Sequence, residues 1–365
     1  MCELMRGAIG AAAIPPAAPA PPQVRGHLLA AAERGKLTYL SGDVRVTICM
    51  KLAGRAQIEI MTRDRTGSDS VLAVTPALGP DAVMPGMAAV SDTAVSQKAG
   101  RENFPVALRL LPRRHRDHLM AVYVFARTVD DAGDEAPPAE RPRLLAGLEE
   151  DLERLYAPGG EPRDAAVRGL AAVVADCAVP MRPFRDLIAA NQHDQVVTRY
   201  ETFADLLAYC TLSANPVGRI VLHVFGCSTP ARAELSDSVC SALQVIEHLQ
   251  DVAEDLRAGR IYLPAADMRD YDCTEQDLAG PVASPQLRRL IAAEAARAGA
   301  MLTAGAPLVG QLRGWARAAV AGYVAGGRAT LAALAAADYD VLAATPRPGK
   351  SRTLRELTTA LVRGR

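Results

Sequence analysis

Aromatic side chains are scarce in this 365-residue chain, with 15 in all and a single tryptophan among them. Only Tyr39 precedes Phe104, so 14 of the rings fall in the last 262 residues. Large rings contribute heavily to folded cores, so the ring-poor first hundred residues belong to a different physical regime. Net charge is absent too: 41 Lys+Arg balance 41 Asp+Glu. That removes the basic excess which draws proteins to nucleic acid, so no nucleic-acid partner is expected. The seven cysteines form no CxxC pair and no metal-ligand spacing. A scattered, odd set of thiols reads as buried or idle in a reducing compartment, and the expected location is cytoplasmic. No uninterrupted apolar run of about 18 residues occurs, so no membrane-spanning helix is expected. No internal repeat appears, which argues against a helical solenoid. Gly322, Gly326 and Gly327 follow no strand, so they make no dinucleotide fingerprint.

What is present divides the chain near residue 87. Residues 11–22 read AAAIPPAAPAPP; proline at that density donates no amide hydrogens and favours extended polyproline geometry, as in a linker. Residues 44–60 alternate weakly like a hairpin, but two strands without neighbours are marginal. Residues 1–86 are therefore expected to be a low-complexity, poorly ordered extension. Met84 and Met87 are plausible true starts downstream of Met1. From about residue 88 the apolar residues recur at three and four spacing, punctuated by Pro and Gly. The expectation is an all-α fold, one helical domain over residues 87–345, followed by a C-terminal tail over 346–365.

Two acidic patterns stand out in that domain. In YVFARTVDDAGDE, Tyr123, Arg127, Asp130 and Asp134 fall at i, i+4, i+7 and i+11, one continuous helical face. Asp131 is turned about 100° away from it. In EHLQDVAEDLRAGRIYLP, Glu247, Asp251 and Asp255 fall at i, i+4 and i+8, again one face, and Gly259 is a natural helix stop before Arg260 and Tyr262. Acids one turn apart repel unless a cation lies between them. Mg²⁺ prefers carboxylate oxygens together with substrate phosphates, and it makes a diphosphate a better leaving group. Arg127 and Arg260 are suited to the departing diphosphate. The bland alternative for either pattern alone is a solvated helix face. Two such faces, each with an aromatic and an arginine nearby, favour the metal reading.

These residues resemble the squalene/phytoene synthase family of head-to-head prenyl synthases. YVFARTVDDAGDE is similar to the family's first motif and QDVAEDLRAGRIYLP to its second, while RYETFADLLAYCTLSANPVGRIVLHVFG resembles the long family helix between them. The likeness runs from about Ser91 to about Ala344. Within the family, ENFPVALRLLP, SANPVGR and YDVLAATPRP resemble bacterial hopanoid-pathway hydroxysqualene synthases. The resemblance implies an isoprenoid-synthase-type fold with a central cavity. It also implies ionisation of presqualene diphosphate with water quench to hydroxysqualene. Asp130, Asp134, Asp251 and Asp255 would be Mg²⁺ ligands, with Glu247 a fifth where many relatives place Asn. Arg127 and Arg260 would hold diphosphate, and Tyr123, Tyr209 and Tyr262 would line the chamber. Presqualene diphosphate, squalene or phytoene synthesis from prenyl diphosphates such as farnesyl diphosphate stays open. So does a non-catalytic prenyl-lipid-binding role. The missing glycine fingerprint favours water quench over nicotinamide reduction only weakly.

Other residues add less. Arg199 is a further diphosphate candidate, with a solvated surface arginine as the alternative. Pro216 is expected to kink or end the middle helix, and Gly218 to allow close backbone approach. The basic run Arg113–Arg116 is read as solvated, with peripheral contact to an anionic membrane surface left open. Docking to an upstream presqualene diphosphate synthase is open as well. His193-Asp194 forms an HD dipeptide, but the other histidines lack the spacing of a metal phosphohydrolase. The start-site reading predicts an intact mass for the native protein that begins at Met84 or Met87; a mass that begins at Met1 would remove it.

Overall fold

Prolines stand at helix starts throughout the C-terminal part of this protein. A computed structural model describes residues 111–363, together with four short strands upstream. Pro112, Pro180 and Pro264 occupy N-cap positions, and Pro230 and Pro285 lie in first turns. There the missing N–H would have found no partner anyway. The main helices are α1 (Arg113–Asp130), α2 (Arg141–Tyr156), α3 (Met181–His193), α4 (Phe203–Ser213) and α5 (Asn215–Val224). They continue with α6 (Pro230–Gln250), α7 (Val252–Arg257), α8 (Pro285–Gly305), α9 (Gly314–Ala336) and α10 (Lys350–Arg363). The fold of this part is all-α. Side-chain caps fix several starts: Thr202 and Asp205 form a reciprocal capping box on α4, and Thr229 and Ser284 cap α6 and α8.

Contacts divide the chain into two units, Ala13–Val90 and Ser91–Arg365 with Met1–Ala12. In the first, β1 (Lys36–Ser41), β2 (Val44–Cys49), β3 (Glu59–Arg63) and β4 (Asp69–Ala73) form an antiparallel sheet in sequential order. The weak alternation over 44–60 thus corresponds to β2 and β3, paired at Ile48 and Ile60, with β1 and β4 as further neighbours. Apart from these strands, residues 1–86, with the candidate starts Met84 and Met87 and the ENFPVALR segment beyond them, lie outside the described residues.

The helical unit buries two apolar clusters. One gathers α1, α2, α3 and α5 around Phe125, Leu145, Leu152, Phe184, Ile188 and Ile220, with Phe125 and Phe184 edge-to-face at 5.4 Å. The other gathers α6, α8 and α9 around Ile246, Leu249, Leu290, Ile291, Leu302 and Val324. Close helix approach in the second depends on small residues. At Gly305 a Cβ would lie 2.7 Å from the Leu235 carbonyl oxygen and 2.9 Å from the Val239 amide nitrogen. Pro216 resolves as a break: α4 ends at Ser213 and α5 begins at Asn215, with Ala214 as the joint. Gly218 has the expected close approach, since a Cβ there would overlap the side chains of Ser236 and Cys240.

Two features depart from expectation. Helix α9 is long and apolar enough by length and composition to cross a membrane, although Arg317 and Arg328 interrupt its apolar run. Half of that stretch is buried within the fold, where α6, α8 and α10 pack on it. Residues 350–363, read from sequence as part of a tail, are the helix α10 against α9. Gly305→Ala is expected to lower unfolding stability by about 1–3 kcal/mol, because the obstacle is backbone rather than a yielding side chain. A urea denaturation series checks this, and an unchanged midpoint would contradict the close approach.

Candidate active site

Helix α1 delivers Arg127 and Asp130 to one wall of a cavity, and then the helix widens. Residues Asp131–Glu135 form a π turn, a device common at functional sites because it re-aims side chains without ending the helix. Asp134 lies on this turn and still reaches the cavity. Gly133 has no Cβ where one would overlap the Asn191 carboxamide oxygen, so α3 closes on the turn. Asn191 Nδ2 donates to Asp130 Oδ1 at 3.2 Å, and Gln195 Nε2 donates to the Gly133 carbonyl at 3.1 Å. Arg141 Nη2 holds the Asp134 carbonyl at 2.9 Å. Arg127 pairs with Asp131 at 2.6 Å and also with Glu135. Asp131 is thus spent on orienting the arginine, in keeping with its turn away from the acidic face.

The opposite wall differs from the continuous helix expected over Glu247, Asp251 and Asp255. Helix α6 stops at Gln250, Asp251 takes φ −105° and ψ 15°, and α7 begins at Val252. Glu254 and Asp255 both donate their amides to the Asp251 carbonyl at 2.8 Å. An unbroken helix would stack three carboxylates one turn apart, where they repel; the joint at Asp251 spreads them along the same cavity. Gly259 closes α7 at φ +81°. The exit segment then sends Arg260 Nη2 across to Asp134 Oδ1 at 2.5 Å, joining the two motifs. Burial works against the Arg260 charge, but the bond to Asp134 and the nearby Asp194 hold its pKa above the ordinary value.

An aromatic group closes one end. The His248 and Tyr262 rings stack with centroids 3.6 Å apart, and Tyr209 lies 5.9 Å from Tyr262. Tyr209 donates to Asp194 Oδ2 at 2.7 Å, while Asp194 Oδ1 is buried with no hydrogen-bond partner. Burial raises the Asp194 carboxyl to about 6, against the opposing effects of Tyr209 and Arg260. Burial likewise pushes Tyr209 and Tyr262 well above the usual phenol value, so both stay protonated. His248 is pushed down by burial, opposed by Asp255 at 3.8 Å.

The enclosed space is about 510 Å³ and is lined by eight carboxylates and three guanidiniums. Asp130 and Asp134 face it from the first wall and Glu247, Asp251 and Asp255 from the second, joined by Arg127, Arg260, Tyr209 and Tyr262. Among the described residues no three side chains converge into a ready-made metal cage. All-oxygen donors on two separated walls instead fit hard divalent cations completed by substrate oxygens.

Two candidates fall elsewhere. Arg199 forms a bidentate pair with Glu275 at 2.8 and 3.0 Å and donates to the Gly259 carbonyl at 2.7 Å. Its fork is committed to bracing the exit segment, off the cavity wall. Tyr123 is buried in the apolar cluster of α1, one turn behind Arg127 and off the cavity wall. The structure adds Asn191, Asp194, Gln244 and His248 to the cavity lining. For Asn191 and Asp194 the sequence signal is the polar run NQHDQ at the end of an apolar helix, in which His193 stacks near Tyr209 rather than ligating metal.

Comparison with known proteins agrees with this geometry. The family model described as squalene/phytoene synthase matches residues 97–355. The hydroxysqualene synthase of Rhodopseudomonas palustris is 36% identical over 218 residues, covering 58% of this chain and 72% of its own length. A solved squalene synthase from Alicyclobacillus acidocaldarius is 42% identical with a TM-score of 0.61, covering 65% of this chain and 89% of that one. A dehydrosqualene synthase solved with a ligand is 26% identical with a TM-score of 0.65, covering 73% and 93%.

The Asp194 shift has a definite sign. Its pKa is higher folded than unfolded, so between about pH 4 and 6 the unfolded chain holds fewer protons and stability falls as pH rises. Asp194→Asn escapes that loss. Relative to the native protein, the variant should gain on the order of 2–3 kcal/mol between pH 4 and pH 7. Parallel urea titrations at the two pH values measure the difference; a pH-independent gap would contradict the buried, raised carboxyl.

Proposed function

Because this chain belongs to the squalene/phytoene synthase family and is an isoprenoid synthase, we propose that it ionises presqualene diphosphate and lets water quench the cation, giving hydroxysqualene and diphosphate. The observation that carries this reading is the pairing of two acid-bearing walls and two arginines around one cavity. Asp130 and Asp134 on one side, with Glu247, Asp251 and Asp255 on the other, would hold Mg²⁺. Bound there, Mg²⁺ supplies the electrophilic pull that makes diphosphate leave. Arg127 and Arg260 take the departing diphosphate. To do so they exchange their pairs with Asp131, Glu135 and Asp134 for phosphate oxygens, a charge-assisted exchange of like for like.

Tyr209 and Tyr262 stay protonated and line the cavity from buried positions, with His248 stacked on the Tyr262 ring. A cation beside such rings gains on the order of 1–2 kcal/mol when water is excluded. On another side of α6, Val217, Gly218, Val221, Val239, Leu243 and Tyr323 line an apolar pocket of about 50 Å³, too small as it stands for the hydrocarbon of a prenyl substrate. The same reading places the protein in the cytoplasm, in peripheral contact with the membrane that dissolves its product, and in reach of an upstream presqualene diphosphate synthase.

The runner-up is condensation of two prenyl diphosphates to presqualene diphosphate, squalene or phytoene, which the same walls would serve. A non-catalytic lipid-binding role has no use for both acid faces. Purified protein with Mg²⁺ and either presqualene or farnesyl diphosphate separates these. Hydroxysqualene from presqualene diphosphate is expected; consumption of farnesyl but not presqualene diphosphate would overturn the assignment. Asp130→Asn and Asp251→Asn should each slow turnover by roughly 10²-fold or more with the fold intact, since each removes charge from the site that stabilises the leaving group. Near-normal turnover would refute the metal assignment.

A further inference from the structure

Helix α10 and the start of α9 form a surface that none of this chemistry uses. Residues 346–365 carry six basic residues against one acid, Glu356, in a chain whose total charge is zero. Three of the five large apolar side chains exposed among the described residues lie on these two helices: Leu354 at 54%, Val362 at 46% and Trp315 at 41%. Arg317 Nη2 donates to the Leu361 carbonyl at 2.6 Å, which sets the Trp315 end of α9 beside the Val362 end of α10.

The order of residues on α10 is informative. At about 100° per residue, Leu354, Thr358 and Val362 form one stripe, and all three are exposed. Lys350 borders the stripe on one edge, and Arg355 and Arg352 border it on the other; these too are exposed. Ala360 points the opposite way and is buried. An apolar stripe edged by long cations is the arrangement of a helix that lies in a bilayer interface, apolar groups down and ammonium or guanidinium groups at the phosphates. A tryptophan at the rim suits the same depth. The basic run at the start of α1 has less to offer a membrane. There Arg113 is paired with Asp117 at 3.5 Å and Arg114 with Asp176 at 3.6 Å, whereas on α10 the one ion pair among the described residues is Arg355 with Glu356 at 3.6 Å.

We propose that the α10 stripe, with Trp315 at its end, docks this protein on an anionic phospholipid bilayer. The charge excess selects anionic headgroups over neutral ones, and the three exposed apolar side chains supply the insertion. This inference deepens the peripheral membrane contact proposed above and is independent of which prenyl substrate the cavity takes.

Trp315 is the only tryptophan in the chain, so its emission reports on this surface alone. The full-length protein is titrated with vesicles of phosphatidylcholine containing phosphatidylserine, and with phosphatidylcholine alone. Emission should move to the blue and the protein should sediment with the anionic vesicles only, and high salt should reverse both. The pair Arg352→Glu with Arg355→Glu should weaken partitioning by at least about tenfold, and Leu354→Ser with Val362→Ser should reduce the blue shift. Should either pair fail to fold, the salt titration of the native protein decides. The proposal is overturned if anionic vesicles produce neither shift nor sedimentation. It is equally overturned if binding ignores lipid charge and salt, or if Trp315 is shielded by self-association without lipid.

Discussion

Carboxylates from two stretches of chain far apart in sequence face one cavity here, and their mutual repulsion is the constraint to which the surrounding structure is fitted. Eight acids against three arginines is not a stable surface unless something draws the walls together. In the protein alone that role falls to Arg260, whose guanidinium reaches across to Asp134, while Arg127, held between Asp131 and Glu135, offsets charge within the first wall. The arginines suited to an anionic leaving group are thus the ones that keep the acidic walls compatible beforehand. Substrate and cation exchange one set of opposite charges for another, which limits the electrostatic cost of loading the site.

Rigidity on both sides makes this possible. Asp130, with Asp134 on the turn that follows it, rides on a helix packed into one apolar cluster, and Glu247, with Asp251 at the helix end, on a helix packed into the other. Dense interiors resist displacement, so the gap between the walls is set by two separate cores. Behind the second wall, Arg297 binds Asp267 at 2.7 and 2.8 Å and Glu294 at 2.8 Å, tying the helix after Tyr262 to α8. Arg199 and Glu275 brace the same exit segment from outside. Arginine pairs away from the cavity therefore fix the aim of Arg260 and Tyr262.

Local departures from ideal helix recur where the chemistry is. A π turn carries Asp134, and a break in the ladder carries Asp251. Each places a carboxylate at a point where the regular repeat is interrupted, and each is supported by a neighbour: Asn191 and Gln195 against the turn, the doubly bonded Asp251 carbonyl at the break. The energetic cost of irregular backbone is small beside that of aligning like charges at helical spacing in a partly dry site.

Much of this was legible in the residues themselves. Three- and four-residue apolar spacing, proline at helix starts and glycine at stops determine an all-α unit, and the acid spacings determine which side chains share a face. The motif arginines and tyrosines follow, with two exceptions: Arg199 found Glu275, and Tyr123 found the core. Neither outcome follows from spacing, because each depends on an element distant in the chain. The π turn at Asp131–Glu135, the joint at Asp251 and the recruitment of Asn191 and Asp194 are of the same kind. Periodicity records which way a residue faces on its own helix. Only packing between helices decides which carboxylates meet, which arginine lies between them, and which oxygen is left buried against the cavity.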